Sequence, residues 1–149
     1  MTITWKRGNL FEDGANAFVI PVNCVGAMGK GLALECKKRH SWVYKKYRAV
    51  CHDGMLCPGD VIRFAGTVRD FYLLATKDHW RDGSRLEWIT QGLNDLNFKI
   101  HQHLIQSIAL PALGCGNGGL AWRDVKPEIE RYMSIAGVDV RCYEPTEAT

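Results

Sequence analysis

The sequence predicts an α/β domain in which strands and helices alternate around one sheet. Short apolar segments such as AFVIPV and SIALPAL have the length and composition of buried strands, whereas residues 84–103 carry apolar side chains at helical spacing. This alternation along the chain is typical of layered α/β domains. Glycine-rich segments directly after two predicted strands favour ligand binding where those strands end.

The predicted elements follow each other in a simple order. An edge strand leads into a turn at Gly8-Asn9, and Pro21 is expected to end the second strand because proline cannot donate to a sheet ladder. A turn at Gly66 separates the third and fourth strands. The predicted strands are 3–6, 17–22, 61–64, 70–75, 107–113 and 138–143, and the predicted helices are 31–40, 41–51, 84–103 and 122–135.

The helix predicted over residues 84–103 has the clearest signature. Ser84 with Glu87 three residues later forms a capping box, in which each side chain satisfies a backbone donor of the first turn. The apolar residues that follow recur at helical spacing, and they are Leu86, Ile89, Leu93, Leu96 and Ile100.

Length and composition favour one soluble domain over residues 1–149. The hydrophobic fraction of 46% and the charged fraction of 23% are ordinary for globular proteins, and the net charge of +3 permits an anionic ligand. Neither a membrane-length apolar stretch nor a signal-peptide pattern is present, so we expect a cytoplasmic protein with no membrane partner. The six cysteines include no C-x-x-C pair, so we expect free thiols and no metal site.

Two glycine-rich loops each lie between a predicted strand and a predicted helix. The first is VGAMGKGLA at residues 25–33, and the second is GCGNGGL at residues 114–120. Glycine lets backbone N–H groups approach phosphate oxygens, and a helix N-terminus adds partial positive charge. The alternative is that the glycines only serve tight turns. Two loops at the same kind of junction favour a diphosphate ligand held from both sides.

Two common phosphate-binding motifs do not fit these loops. The first loop has Gly31 where a Walker A motif needs Ser or Thr for magnesium. The second loop matches G-x-G-x-x-G through Gly114, Gly116 and Gly119, with Glu144 at the end of the next strand. However, too little chain follows it for a dinucleotide-binding fold. Hydrolysis of a nucleoside triphosphate and dehydrogenase chemistry are therefore not expected.

The motifs GNLF, VNCVGAMGKGLA, TKDHWR and ALPALGCGNGGL, in this order between Gly8 and Tyr143, resemble the macrodomain family. The resemblance is strongest to the branch with the bacterial DarG antitoxins and the animal terminal ADP-ribose glycohydrolases, and TKDHWRDGSRLEWI points towards DarG. It implies a three-layer α/β/α sandwich with a mixed central sheet. It also implies that ADP-ribose, or an ADP-ribosylated substrate, binds without a cofactor.

The resemblance also assigns ligand-binding positions. Asn9 stands where many macrodomains have an adenine-binding aspartate, and Asn23 matches an asparagine beside the distal ribose. The two glycine loops match the phosphate-binding loops of the family. The full implied set is Asn9, Leu10, Asn23, Gly26, Met28, Gly29, Lys30, Gly31, Thr76, Gly114, Cys115, Gly116, Asn117, Gly118 and Gly119.

Lys77 is the residue expected to carry catalysis. It follows the predicted strand 70–75, and α/β sheets bind ligands at the carboxyl ends of their strands. From the residues alone, an exposed lysine beside a turn is the ordinary interpretation. The resemblance implies instead a nucleophile or acid/base near the anomeric carbon of the distal ribose. The animal enzymes pair this lysine with an aspartate in the second loop, where this chain has Asn117-Gly118-Gly119, so we do not expect that assistance here.

Further residues carry less specific signals. Trp80 could stack on a base and Arg81 could contact a phosphate of single-stranded DNA; equally, both suit a turn in which Trp80 packs on the core. The basic segments at residues 37–40 and 45–48 are interpreted as solvated helix faces. Cys115 is interpreted as a small loop residue and not as a nucleophile.

The sequence thus predicts a monomeric hydrolase that removes ADP-ribose from a DNA base, which is thymidine by analogy with DarG. Two alternatives stay open. One is a non-catalytic ADP-ribose reader. The other is a hydrolase of glutamate-linked ADP-ribosyl protein, O-acetyl-ADP-ribose or ADP-ribose-1″-phosphate; the missing loop aspartate argues against the protein ester.

Overall fold

The computed structural model describes residues 3–145, where six strands form one sheet with helices on both faces. Within this range no helix has both the length and the apolar composition needed to cross a membrane. The strands are β1 Thr4–Lys6, β2 Ala17–Val22, β3 Val61–Phe64, β4 Asp70–Ala75, β5 Ser107–Pro111 and β6 Asp139–Tyr143, and the helices are α1 Gly31–Arg39, α2 Ser41–His52, α3 Leu86–Gln102 and α4 Trp122–Met133.

The sheet has the order β1-β6-β5-β2-β4-β3, and only β3 runs antiparallel to its neighbour. Successive residues of a strand point to opposite faces, so Phe18 and Ile20 of β2 pack against α1 and α2 while Val19 packs against α3 and α4. The three layers with a mixed central sheet confirm the expected fold class. Nearly all side chains of β2 and β4 are buried, as in sheets covered on both faces.

The two central strands β2 and β5 separate before they end. They pair only at Ala17–Ile108 and Phe18–Ala109, and beyond these pairs a gap opens between them. The helix after β2 covers one face of the sheet and the helix after β5 covers the other. Adjacent strands with this arrangement form a topological switch point, which is where open α/β sheets bind ligands.

Pro21 lies inside β2, so the prediction that it ends the strand is wrong. It pairs with Leu74 of β4, and Val22 pairs with Ala75. The carbonyl of Val22 accepts a hydrogen bond from Thr76 on the β4 side. Because backbone groups alternate along a strand, the nitrogen of Pro21 faces the gap left by β5, where no ladder hydrogen bond is lost.

The capping box predicted at Ser84 is also wrong, because α3 begins at Leu86 with Arg85 as its N-cap residue. The backbone N–H of Ser84 instead donates to the carbonyl of Gly118 at 2.9 Å. This contact with the second glycine loop keeps Ser84 outside the helix. Two other elements end two residues earlier than predicted, β5 at Pro111 and α4 at Met133.

A buried carboxylate, Asp13, connects the chain after β1 to β6. It accepts hydrogen bonds from the Tyr143 hydroxyl at 2.6 Å, the Ala15 N–H at 2.8 Å and the Arg141 guanidinium. Burial alone would raise the pKa of Asp13. The hydrogen bonds from Tyr143, Arg141 and Ala15 outweigh that effect and hold its pKa below the ordinary value of 3.8.

We predict that the free energy of unfolding decreases when the pH falls below about 4. The unfolded chain protonates Asp13 near its ordinary pKa, whereas the folded protein keeps the carboxylate charged to lower pH. This stabilisation is complete above the unfolded pKa and is lost as the pH falls through the folded pKa. Urea unfolding at several pH values should show a shallower acid dependence for Asp13→Asn than for the wild type. Equal slopes would contradict the prediction.

Candidate active site

A cleft of about 450 Å³ lies where β2, β4 and β5 end, in the gap between β2 and β5. This volume lies within the range of small-molecule binding sites. One wall is apolar and includes Pro21, Val22 and Pro111, and both glycine loops form the rest of the rim. The cleft therefore combines an apolar surface for a flat group with backbone N–H groups for an anion.

Asn23, directly after β2, organises the first glycine loop. Its Oδ1 accepts hydrogen bonds from the N–H groups of Val25 and Ala27 at 3.1 and 3.3 Å, and its Nδ2 donates to the Ala27 carbonyl at 2.9 Å. The Tyr47 hydroxyl of α2 lies 2.6 Å from the same Oδ1 and 2.7 Å from the Asn23 carbonyl oxygen. Asn23 thus lines the cleft while its amide holds the loop in shape.

We predict that Tyr47→Phe lowers the free energy of unfolding by about 1–2 kcal/mol, because it leaves buried Asn23 oxygens without their hydroxyl donor. Affinity for ADP-ribose, the ligand implied by the family resemblance, should fall several-fold because the loop loses this hydrogen bond. Thermal unfolding and titration calorimetry would measure the two effects. Tyr44→Phe is the matched control, because the Tyr44 hydroxyl has no hydrogen-bonding partner within residues 3–145. Equal effects of both substitutions would contradict the role assigned to Tyr47.

The N-terminus of α1 faces the cleft. Its first three residues, Gly31, Leu32 and Ala33, line the cavity, and within the described chain no side chain caps the helix at Lys30. The first N–H groups of a helix have no intrahelical acceptor, and the helix dipole places partial positive charge there. Gly31 has a φ of +55°, a conformation that favours glycine. This end of the cleft can accept a phosphate.

The second glycine loop closes the cleft from the opposite side. Gly114, with a φ of +75°, turns the chain after β5, and its carbonyl accepts a hydrogen bond from Leu120 at 2.9 Å. Asn117 reaches across to the first loop, where a Cβ on Gly31 would lie 3.4 Å from its Nδ2. A ligand between the loops would therefore contact backbone from both sides.

Lys77 lies at the mouth of the cleft. The Cys24 N–H donates to the Asp78 carbonyl at 3.0 Å and the Cys24 thiol to the Lys77 carbonyl at 3.4 Å, so the backbone of Lys77 is fixed beside the first loop. The residue is half-buried, and its Nζ donates a solvent-exposed hydrogen bond to the Trp80 carbonyl at 3.2 Å. An amine held at this position can reach a group bound between the two loops.

Trp80 lines the same mouth and is 54% exposed, so it does not pack in the core. The guanidinium of Arg81 lies 6.0 Å from the centre of its ring, and the His79 ring lies 5.1 Å away. An exposed indole at the opening of a cleft offers a surface on which a base can stack. The interpretation of Trp80 as a core residue is therefore wrong.

The structure brings most of the predicted ligand-binding residues to one cavity. Those that line it are Asn23, Gly29, Lys30, Gly31, Thr76, Lys77, Trp80, Gly114, Gly116, Asn117 and Gly118. The apolar wall was not predicted from the sequence. No motif marks that wall, whose members lie at the ends of the two central strands and in the first turn of α1: Pro21, Val22, Leu32, Ala33, Pro111 and Ala112.

Other predicted residues lie outside the lining. Asn9 donates to Glu35 at 3.0 Å and caps the short 3₁₀ helix Leu10–Glu12, so its side chain is engaged within the protein. The Cys115 thiol donates to the Leu113 carbonyl, and burial raises its pKa to about 11, which agrees with its interpretation as a non-nucleophile. The remaining residues outside the lining are Leu10, Gly26, Met28, Gly119 and Arg81.

All six cysteines are free thiols, as expected from the sequence. Cys36 and Cys142 are buried, and burial raises the pKa of Cys24, beside Lys77, to about 12. A thiol with such a pKa stays protonated at neutral pH, so Cys24 is a hydrogen-bond donor that positions the neighbouring loop.

A macro domain model matches residues 19–129, which include both glycine loops and Lys77. This chain belongs to the macro domain family. The recognition made from the glycine loops and TKDHWR is therefore confirmed. The curated relatives include the DNA ADP-ribosyl glycohydrolases of Thermus aquaticus, at 41% identity, and of Mycobacterium tuberculosis, at 37% identity. Each alignment covers 97% of this macro domain and 42% of the relative, so the chain spans less than half of those proteins.

Solved structures agree with this family assignment. The macrodomain of Thermus aquaticus DarG matches with a TM-score of 0.91 and 40% identity over 96% of this chain and 98% of that chain. The macrodomain of Mycobacterium tuberculosis DarG gives 0.92 and 36% over 97% and 98%. Thermosipho africanus DarTG in complex with ADP-ribose gives 0.91 and 30%, over all of this chain and 44% of that chain.

Proposed function

We propose that this macro domain is a glycohydrolase that releases ADP-ribose from a thymidine base in single-stranded DNA. The comparisons with relatives and the shape of the cleft both support the substrate class. Relatives at 37–41% identity are named DNA ADP-ribosyl glycohydrolases, and a related DarTG was solved in complex with ADP-ribose. The cleft offers ADP-ribose an apolar wall for adenine and a pair of backbone loops for the pyrophosphate.

The observation that carries the proposal is the position of Lys77 between the first glycine loop and Trp80. A reader of ADP-ribose needs the two loops but needs no amine at the opening of the cleft. Lys77 lines that opening with its backbone hydrogen-bonded to Cys24, so the amine extends from a fixed point. Trp80 beside it provides a stacking surface for the base to which the ribose is joined.

The reaction is a hydrolysis. The bond between C1″ of the distal ribose and a base nitrogen breaks, water supplies a hydroxyl group to C1″, and the base nitrogen receives a proton. We propose that the loops hold the pyrophosphate and ribose while the Lys77 amine acts at the breaking bond. The second glycine loop, which reads Asn117-Gly118-Gly119 here, has no carboxylate that could take a proton from water, so this chemistry depends on Lys77.

The proposal is tested by incubating the protein with a single-stranded oligonucleotide that carries ADP-ribosyl-thymidine and measuring free ADP-ribose and restored oligonucleotide. An ADP-ribosyl-glutamate peptide, O-acetyl-ADP-ribose and ADP-ribose-1″-phosphate are compared under the same conditions. We expect release from the oligonucleotide at a rate well above that of the other three.

Each other outcome selects one of the alternatives left open by the sequence. Normal affinity for ADP-ribose without turnover of any substrate would overturn the proposal and indicate a reader. Faster turnover of the peptide or of either small molecule would keep the enzyme but replace its substrate.

A further inference from the structure

A second depression lies on the outer side of the first glycine loop, between that loop and α2. Its lining residues include Val25, Gly26, Tyr44, Lys45, Arg48 and His52, and we name it the α2 groove. It shares no lining residue with the ADP-ribose cleft, so the proposed reaction does not use it. Gly26, which family resemblance assigns to the ligand, lines this groove instead.

The α2 groove begins where the mouth of the cleft ends. Val25 is 47% exposed and lines the groove, while its neighbour Cys24 is hydrogen-bonded to the backbone of Lys77 and Asp78. On the other side of Val25, a Cβ on Gly26 would lie 3.6 Å from the Cα of Arg48. Val25 therefore lies between the backbone contact of Cys24 with Lys77 and the close approach of Gly26 to Arg48.

The groove is basic. Lys45, Arg48 and His52 stand three and four residues apart, so they project from one face of α2 along about 10 Å of helix. Lys45 and Arg48 are exposed, and within residues 3–145 neither forms an ion pair. The acid of this lining, Asp53, lies at the far end and pairs with His52 at 3.6 Å.

An aromatic ring and one more cation extend the groove. Tyr44 is half-buried in its lining, and the Nζ of Lys37, from α1, lies 4.5 Å from the centre of the Tyr44 ring. Proteins that bind single strands combine a positive groove along the backbone with aromatic rings on which bases stack. The α2 groove supplies the cations, and Trp80 at the adjoining mouth supplies an exposed ring.

We infer that the α2 groove binds the sugar–phosphate backbone of the single-stranded DNA that carries the ADP-ribosylated base. This inference rests on the proposed function, since a modified base at Lys77 requires its flanking nucleotides to lie on the surface around the mouth. Lys45 and Arg48 carry positive charges without ion-pair partners in the described residues, so they can bind phosphates. They lie away from the reacting bond, where the flanking nucleotides would be. The substrate thus has two binding regions, one for ADP-ribose and one for the strand.

The test compares two ligands on one protein. Lys77→Ala, in which turnover is blocked, is titrated with an ADP-ribosylated oligonucleotide and with ADP-ribosyl-thymidine alone. The readout is the affinity for the oligonucleotide divided by the affinity for ADP-ribosyl-thymidine. Damage to the cleft would lower both affinities and leave this ratio unchanged. Lys45→Gln/Arg48→Gln is added to this protein; glutamine keeps part of each side-chain stem, including the Arg48 Cγ near Gly26, but removes the charge.

We expect the double substitution to lower the ratio about tenfold at low salt and to reduce the salt slope of oligonucleotide binding by about 1.4, which is 0.7 for each lost phosphate contact. Lys126→Ala/Arg131→Ala, which removes two charges from α4 on the opposite face of the sheet, should change neither. The inference would be overturned if Lys45→Gln/Arg48→Gln left the ratio unchanged. It would also be overturned if both double substitutions lowered the ratio equally. These titrations need no turnover, so failure of the α2 groove and failure of the glycohydrolase are seen separately.

Discussion

Replacing Lys77 by alanine is expected to slow release of ADP-ribose from the oligonucleotide about a thousandfold, within the range of positioned acid–base groups. The Lys77 amine lies at the mouth of the cleft, two residues after the end of β4. Affinity for free ADP-ribose should stay within a few-fold of the wild type, because the loops, which supply most contacts, are unchanged. Single-turnover release and titration calorimetry measure the two quantities.

The variant Lys77→Arg separates two forms of the mechanism. Arginine keeps the positive charge but cannot lose its proton in a protein, so it cannot act as a nucleophile. Partial activity in this variant would indicate that Lys77 stabilises charge on the leaving base, whereas inactivity equal to Lys77→Ala would indicate that the Lys77 amine must exchange a proton or attack C1″. Lys46→Ala, which removes an exposed lysine of α2 that lines neither the cleft nor the α2 groove, is the control and should keep most of the rate. Wild-type activity in Lys77→Ala would contradict the assigned role.

Gly118→Ala is expected to weaken ADP-ribose binding by about 2–3 kcal/mol, which is roughly 30- to 150-fold in affinity. A Cβ at this position would overlap the carbonyl oxygen of Gly114 and the Oγ of Ser84. Because one of these atoms belongs to the backbone of the same loop, the overlap can be relieved only by moving the loop that closes over the pyrophosphate. Thermal unfolding should also show a lower Tm.

Gly116→Ala is the matched control for the Tm, since a Cβ there has no heavy atom within 4 Å in the described part of the chain. Its Tm should equal that of the wild type. Ser84→Ala combined with Gly118→Ala removes the hydroxyl but leaves the overlap with Gly114, so affinity should remain low. A Gly118→Ala protein that binds ADP-ribose as the wild type does would show that the loop adapts without cost.

The sequence predicted the fold class and most of the cleft because both depend on local patterns. Apolar runs identified the strands, and glycine loops after two of them identified the residues at the strand ends. The elements with errors are those decided by distant contacts. Ser84 leaves α3 because it binds Gly118, and Pro21 stays in β2 because β5 has moved away from it. Gly118 is far from Ser84 in the sequence, and β5 is far from Pro21.

The apolar wall and the role of Tyr47 were missed for a related reason. Pro111 and Val22 are unremarkable strand residues until the sheet topology places them on two sides of one gap. Tyr47 stands inside a basic segment, KKYR, and only the packing of α2 shows that its hydroxyl reaches Asn23 while Lys45 and Arg48 face outward. A single sequence shows which residues share a helix face, but it does not show which element packs against that face.

Because of the two prolines on its walls, the cleft opens during folding and not when a ligand binds. Pro21 in β2 and Pro111 at the end of β5 have no backbone N–H to donate to a ladder hydrogen bond. The two strands therefore cannot continue their pairing beyond Phe18 and Ala109, even without a ligand. The opening is thus built during folding. A ligand that enters it has no sheet hydrogen bonds to break, and none of its binding energy is used to separate the strands.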